Sequence, residues 1–266
     1  MQKHISSLQN PMVKQFVQLS EKSRERKRAG LFTIEGKREI QLAHKSSYIV
    51  EVLLVCPDIF SEDIEDYKNN NTEVITLSIE VYQKLAYRGS TEGILAIARS
   101  KEHHVNDLSF NTENPLILVA EAPEKPGNIG ALLRTADAAG LDAVILANPR
   151  TDLYNPNIIR SSVGGVFTNT IATGSTTQIL EFLKKNQIAV FCASLQAAVP
   201  YHTIDFNRGS AIVVGTEATG LSEAWLTQSD NNIIIPMQGE LDSMNVSVSA
   251  GILIFEAKRQ RGFDNE

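Results

Sequence analysis

Leu116-Ile-Leu-Val-Ala120, Glu121-Ala-Pro123-Glu-Lys125-Pro126-Gly127 and Asn128-Ile-Gly-Ala-Leu-Leu-Arg134-Thr-Ala-Asp-Ala-Ala-Gly140 form one continuous run, and its reading decides the fold. Five consecutive apolar residues fit a strand covered on both faces, as in a parallel sheet. Two prolines and two glycines, Pro123, Pro126, Gly127 and Gly130, then make a rigid turn. From Ile129 to Ala139 the small residues Ala136, Ala138 and Ala139 suit a helix packed closely on that sheet. Asn128 stands at the start of this helix, where it either caps it or belongs to a site. Arg134 interrupts an otherwise apolar helix, and a guanidinium there needs an anion, a set of carbonyls or a surface position.

The same alternation continues toward the C-terminus. Apolar runs at Ala143–Ala147, Ile188–Ala193, Ala211–Gly215 and Asn232–Ile235 read as further strands. Helical patterns fall near Pro156–Ser162, Gln178–Lys185 and Val246–Gln260. In open α/β sheets ligands collect beyond the carboxyl ends of the strands. Three segments there carry chemistry. Gly215-Thr-Glu217-Ala-Thr-Gly220-Leu221 sets a glutamate between glycines, and its spacing is not that of a dinucleotide fingerprint. Ile235-Pro-Met-Gln-Gly239 leads through a polar loop to Ser243-Met244-Asn245 and a helix of small residues. Ser243 or Asn245 either caps that helix or faces an adenosine pocket. In Arg160-Ser-Ser-Val-Gly-Gly165 a helix ends at a glycine pair, so Arg160 either binds phosphate or compensates the helix C-terminus.

Before Leu116 the polar stretch from Arg99 to Pro115 marks a boundary, which divides the chain into residues 1–105 and 106–266. The first part alternates too. Strands are expected at Leu31–Ile34, Val50–Val55, Val74–Leu77 and Ile94–Ala98, with helices at Asn10–Arg28, Lys37–His44, Glu62–Asn69 and Ile79–Ala86. This pattern suits a small α/β sandwich. Charge is distributed unevenly. Residues 1–45 hold ten Lys and Arg against four Glu, a local +6, so the remainder carries −12 within a total of −6. Arg24, Arg26, Lys27, Arg28, Lys37 and Arg38 therefore form either a phosphate-binding patch or a solvated helix face.

The chain of 266 residues is 42% hydrophobic, enough for one large or two small domains. No apolar run reaches the ~20 residues of a membrane span, and Met1–Asn10 is polar, without a signal core. A cytoplasmic protein with no membrane association is expected. Cys56 and Cys192 sit inside apolar runs and read as buried thiols. No Cys or His cluster has metal-ligand spacing, so no metal is expected.

Taken in order, the segments from Asn128 to Gly140, Gly215 to Leu221 and Ile235 to Val248 resemble the three motifs of the SpoU (TrmH-like) RNA ribose 2′-O-methyltransferases of the SPOUT superfamily. Arg160–Gly165 is similar to the family's intermediate Arg-x-Ser-x-Gly element. Phe32-Thr-Ile-Glu35-Gly36-Lys37-Arg38 is similar, more loosely, to the L30e-like substrate-binding domain often fused to it. The resemblance implies a parallel sheet with a deep trefoil knot and a homodimer with its pocket near the subunit interface. It implies S-adenosylmethionine as methyl donor and RNA as substrate, ribosomal before transfer RNA. It assigns catalysis to Arg134, Asn128, Glu217, Ser243 and Asn245, donor contacts to Gly215, Ile235, Gly239 and Met244, and RNA contacts to Arg160 and the basic N-terminal residues. Met244 replaces the usual Leu, a volume-conserving change. The competing expectations are a non-catalytic RNA-binding or ribosome-assembly factor on the same fold, and a small-molecule α/β enzyme.

Overall fold

A computed structural model describes residues 3–87, 92–196, 198–216, 219–240 and 243–263. It separates into two compact units, one of residues 1–102 and 152–168, the other of residues 103–151 and 169–266. The return of residues 152–168 to the first unit has no counterpart in the continuous division that the polar stretch suggests.

The second unit holds a seven-stranded sheet. Its strands are β6 (Leu116–Glu121), β7 (Ala143–Ala147), β8 (Ile171–Gly174), β9 (Ala189–Ala193), β10 (Val199–Pro200), β11 (Ser210–Val214) and β12 (Asn231–Ile234). The order is β10-β12-β9-β11-β6-β7-β8, with every pair parallel. The apolar runs read as strands are strands, and their residues are buried throughout β6, β7 and β11. Continuous burial follows from cover on both faces. Ile179 and Leu183 of α8 (Thr176–Lys185) and Trp225 of α9 (Glu223–Gln228) join Val119, Val190 and Val213 in one apolar layer. On the other face, α5 (Pro126–Ala139) packs against α10 (Val246–Arg261), and α10 reaches β6 and β11. Gly140 ends α5 at φ 60°, a left-handed conformation that glycine adopts without strain. The strand order reverses between β6 and β11, a position where open sheets bind ligands, and of these two strands β11 borders the cavity described below.

The first unit holds a mixed sheet of five strands in the order β1-β4-β3-β5-β2. These are β1 (Lys3–Ile5), β2 (Leu31–Glu35), β3 (Val50–Val55), β4 (Glu73–Leu77) and β5 (Ile94–Arg99). β1, β4 and β3 pair in parallel, and β5 runs antiparallel to β3 and β2. Val13, Phe16 and Leu19 of α1 (Pro11–Glu21) and Val81 and Tyr82 of α4 (Ile79–Leu85) cover one face. α3 (Lys37–Lys45) buries Ile40 and Ala43. The returning segment contributes Tyr154, whose ring stacks on Phe32 at 4.2 Å, and Phe167, 5.1 Å from Tyr48.

Two expectations change, and a third gains an element. The amphipathic stretch from Asn10 to Arg28 is two helices, because Lys22 adopts an extended conformation between α1 and α2 (Ser23–Ala29). The acidic segment near Glu62–Asn69 forms only a short 3-10 turn at Glu65–Tyr67. It has too few apolar residues to bury a helical face. Pro156–Ser162 is helical as α6 (Pro156–Ser161), and the short α7 (Gly165–Thr168) follows the glycine pair.

Candidate active site

A cavity of about 890 Å3 opens at the carboxyl ends of β9, β11 and β12. Its wall is built from three crossings of the chain. Ser194–Gln196 follows β9, Gly215 and Thr216 follow β11, and Ile235 and Met237 follow β12. Ser243, Met244 and Asn245 close it from the start of α10. Residues 235–238 lie outside the sheet ladder, so their carbonyls and the N–H groups of Ile235, Met237 and Gln238 are not spent on strand pairing.

Local chemistry explains each wall. Thr216 and Gly220 exchange backbone hydrogen bonds of 3.1 and 3.0 Å, which folds the segment after β11 into a tight loop. A Cβ at Gly215 would collide with the Gly220 backbone, so only glycine permits this closure. Asn245 caps α10: its Oδ1 accepts from the Ser247 backbone N–H at 3.0 Å and from the Ser247 hydroxyl at 2.6 Å. Its Nδ2 meanwhile donates to Asn128 Oδ1 at 3.3 Å. Capping and site-building are thus one role for Asn245, and the bond joins two segments 117 residues apart.

The remaining residues singled out from the sequence divide clearly. Gly215, Ile235, Ser243, Met244 and Asn245 line the cavity. Asn128 is the third residue of α5, whose cap position is Lys125, so it is not the cap but a partner of Asn245. Arg134 is exposed on α5 and is not part of the cavity wall. Gly239 is exposed away from the lining. Glu217 lies outside the described residues.

In the first unit, Arg160 stacks its guanidinium 3.5 Å from the centre of the Tyr87 ring. Its Nη1 donates to Asn157 Oδ1 at 2.9 Å, and Nη2 lies 4.0 Å from Glu35. Arg24, Lys27, Arg28 and Arg38 are exposed. Lys37 pairs with Glu62 at 2.6 Å. Arg26 differs from its neighbours, because it is only 4% exposed. It donates to Asp152 at 2.5 Å and to the carbonyls of Leu19 and Ser20 at 2.7 and 3.2 Å. A short helix rich in cations must turn one residue inward, and that residue is a structural ion-pair partner rather than a phosphate ligand.

One residue that the sequence reading passed over stands out. Glu121 ends β6, is 7% exposed and takes 2.7 Å hydrogen bonds from both the backbone N–H and the hydroxyl of Ser222. Thr176 donates a third at 3.3 Å. Ser222 directly follows the Gly215–Leu221 loop, so Glu121 anchors that loop from below. An acid that closes an apolar strand is a weak signal by itself. Burial drives the nearby Cys192 thiol up to about 12, with the Glu121 charge adding to the effect. Cys192 is therefore an inert packing residue.

Tested against S-adenosylmethionine, the cavity fits. It combines room for a nucleoside, the apolar surfaces of Leu221, Ile234 and Leu253, and the glycine-closed loop at Gly215. No cluster of metal-ligating side chains occurs among the described residues. No helix among them is long and apolar enough to cross a membrane.

Comparison with known proteins agrees with this geometry. Residues 115–255 match the SpoU rRNA Methylase family, and residues 10–96 match the MRM3-like substrate binding domain. The chain is 31% identical over 257 residues to the 23S rRNA (guanosine(2553)-2′-O)-methyltransferase RlmP of Bacillus subtilis, which covers 96% of this chain and 99% of that protein. A solved RNA 2′-O ribose methyltransferase superposes with TM-score 0.83 at 36% identity, covering 97% of this chain and 99% of that one. An AdoMet-bound rRNA methyltransferase from Sinorhizobium meliloti superposes with TM-score 0.88 at 26% identity, covering 97% of each chain.

Proposed function

The chain belongs to the SpoU rRNA Methylase family, and from that premise we propose that it transfers a methyl group from S-adenosylmethionine to a ribose 2′-hydroxyl of ribosomal RNA, of the 23S type that its relatives modify. The observation that carries this reading is the Asn245–Asn128 hydrogen bond at the mouth of the glycine-closed cavity. It joins the first and third motifs at a pocket of the size and polarity a nucleoside donor needs.

The donor, when bound, supplies a methyl group already activated for displacement. Gly215, Ile235 and Met244 would hold it, largely through backbone groups, and Gly239, in the same loop as Ile235, is assigned to it as well. The protein's task is then orientation and charge. Asn128, Ser243 and Asn245 fix the polar edge of the site, and Glu217 is assigned to the same edge. A guanidinium is a poor proton acceptor, so Arg134 acts by stabilising negative charge on the ribose oxygen as the bond forms.

Arg134 projects to solvent within one chain. This supports a homodimer in which a second copy of α5 and α10 completes the site. Val248 and Phe255, 51% and 42% exposed on α10, supply apolar surface for it. A monomer by sedimentation at micromolar concentration would remove the dimer from this scheme. We also take the segment after β12 to be threaded as a trefoil knot, since α10 packs back on β6 and β11. Residues 1–105 serve as the RNA-binding domain and 106–266 as the methyltransferase domain, and the cytoplasm, where ribosomal RNA is assembled, is the place of work.

The test is methyl transfer from labelled S-adenosylmethionine to RNA of a strain lacking this gene, followed by mapping of 2′-O-methyl positions. Label at one ribosomal nucleotide is expected. Label in transfer RNA alone would overturn the substrate, and donor binding with no transfer to any RNA or assembly particle would favour the non-catalytic factor.

A further inference from the structure

Along α10 the wall of the large cavity is a stripe of residues four apart, Asn245, Ser249 and Leu253. Four residues make about one helical turn, a rise of about 6 Å. Asn245 is spent at the mouth, on Ser247 and Asn128. Leu253 is fully buried at the other end of the stripe. Ser249 stands between them and is half-buried. Its backbone N–H donates to the Asn245 carbonyl at 3.1 Å, as a helix requires. A serine inside a helix commonly turns its hydroxyl back to that same carbonyl. The Ser249 hydroxyl does not, and it makes no hydrogen bond among the described residues.

The other polar side chains of this wall are spent or exposed. Ser194 bonds the Gln196 backbone in both directions, donating at 3.3 Å and accepting at 3.1 Å. The Thr216 and Thr219 hydroxyls pair at 2.8 Å. Gln196 and Ser243 are exposed. Ser249 alone among the described wall residues is polar, half-buried and unpaired. Trp225 Nε1 is the side-chain polar atom sealed in the described protein without a partner. The Ser249 hydroxyl is not sealed, and the space it opens to is the cavity.

A ligand that fills the cavity removes water from this hydroxyl and must replace the hydrogen bond, or binding suffers. The two ends of S-adenosylmethionine make different demands. The methionine end carries an ammonium and a carboxylate, which lose most on leaving water. The adenosine end is uncharged, with a flat base and ribose hydroxyls that both donate and accept. The buried Leu221, Ile233 and Leu253 give the wall an apolar part suited to the uncharged end. Ser249 adjoins that part through Leu253, one turn along the same stripe.

We propose that the Ser249 hydroxyl hydrogen-bonds the adenosine half of the methyl donor, a side-chain contact in a pocket otherwise held largely by backbone. The contact rests on the methyltransferase reading for the identity of the donor. It divides two tasks along one helix. Asn245 builds the mouth, and Ser249 holds a part of the donor that does not react. Such a bond is equally strong before and during transfer, so it acts on donor affinity and not on the rate at saturation.

The full chain and its Ser249→Ala variant are compared by calorimetry with three ligands that share the adenosine. These are S-adenosylmethionine, S-adenosylhomocysteine and 5′-methylthioadenosine, which lacks the amino-acid end. Ser249→Ala is expected to raise all three dissociation constants by the same factor, about fivefold. Alanine is a better helix former than serine, so the thermal midpoint of the free variant should not fall. In methyl transfer, the KM for the donor should rise by about the same factor, with kcat within about twofold of the parent. Equal affinity of variant and parent for the three ligands overturns the contact. Weakening of the first two with 5′-methylthioadenosine unchanged moves the hydroxyl to the methionine end and overturns the adenosine assignment. A thermal midpoint that falls along with the affinity makes Ser249 a structural residue and overturns it as well. A parent chain that binds none of the three sinks the methyltransferase reading and this contact with it, whereas a parent that binds all three keeps that reading, and the variant alone decides.

Discussion

Two cavities, one in each unit, are built on opposite principles. That of the second unit is walled by consecutive short segments, Gly215–Thr216 and Ser243–Asn245 among them, and at Gly215 and Gly220 its wall is backbone. That of the first unit is walled by charged and aromatic side chains drawn from Phe16 to Arg160. A backbone-lined pocket depends on a few residues that allow the chain to bend, so it leaves compact motifs in the sequence. A side-chain pocket depends on tertiary placement, so it leaves almost none. The difference goes with the two family matches, a methylase over residues 115–255 and a substrate binding domain over residues 10–96.

The strongest way to break this division is at Arg134. Arg134→Ala is expected to lower methyl transfer by about 10²–10³-fold with donor affinity unchanged. Single-turnover transfer and calorimetric donor binding check it. Activity within a fewfold of the parent would free Arg134 of its role, and a parallel loss of donor affinity would make it part of the backbone-lined pocket instead.

Next comes the residue that ties the first unit's return segment to its N-terminal helices. Arg26 and Asp152 are 4% and 9% exposed in their side chains. Removing one partner of a buried pair leaves an uncompensated charge, at a cost of about 3–5 kcal/mol. Arg26→Ala should therefore lower the denaturant midpoint sharply, while the paired change Arg26→Met with Asp152→Leu recovers most of it. If the single change costs less than 1 kcal/mol by the same measure, the pair behaves as a surface ion pair and the tether lies elsewhere.

Glu121→Gln sharpens the comparison from the other side. The buried carboxylate accepts two 2.7 Å bonds from Ser222, and an amide presents an N–H to at least one of those donors. A cost of about 2 kcal/mol in stability is expected. Because Ser222 continues the Gly215–Leu221 loop, donor affinity should fall with it, whereas RNA affinity should not. Glu121→Asp, which keeps the charge and shortens the reach, should recover part of the donor affinity. An unchanged donor dissociation constant would reduce Glu121 to a packing role.

These residues also show where the sequence is legible. The parallel sheet is readable because its strands are buried on both faces and appear as apolar runs such as Leu116–Ala120 and Ala143–Ala147. β8 and β10, of four and two residues, are too short to stand out. The break between α1 and α2 is hidden because it lies in the extended backbone of Lys22, not in a proline or glycine. The cavity-lining residues Gly215, Ile235, Ser243, Met244 and Asn245 are within reach because the loops that carry them are short. Glu121 was not, since its partner Ser222 is 101 residues away. Nor was the inward turn of Arg26, whose partner Asp152 is 126 residues away. Charge composition reports that a patch exists but not which of its members are already paired.

That last point carries the smallest prediction. Lys27 and Arg28 are adjacent and both exposed, yet Arg28 forms an ion pair with Glu25 and Lys27 stands among the exposed cations. A cation already neutralised by a carboxylate releases fewer counterions when it meets a phosphate. Lys27→Ala should reduce the slope of log affinity for RNA against log salt by about 0.7, and Arg28→Ala by clearly less. Both should leave sequence preference among RNAs unchanged, because they act on the phosphate backbone and not on a base. Equal slopes for the two variants would mean that Glu25 lets go of Arg28 in the complex. The N-terminal cations would then act as one pooled charge, and their individual pairing in the free protein would not matter to RNA affinity.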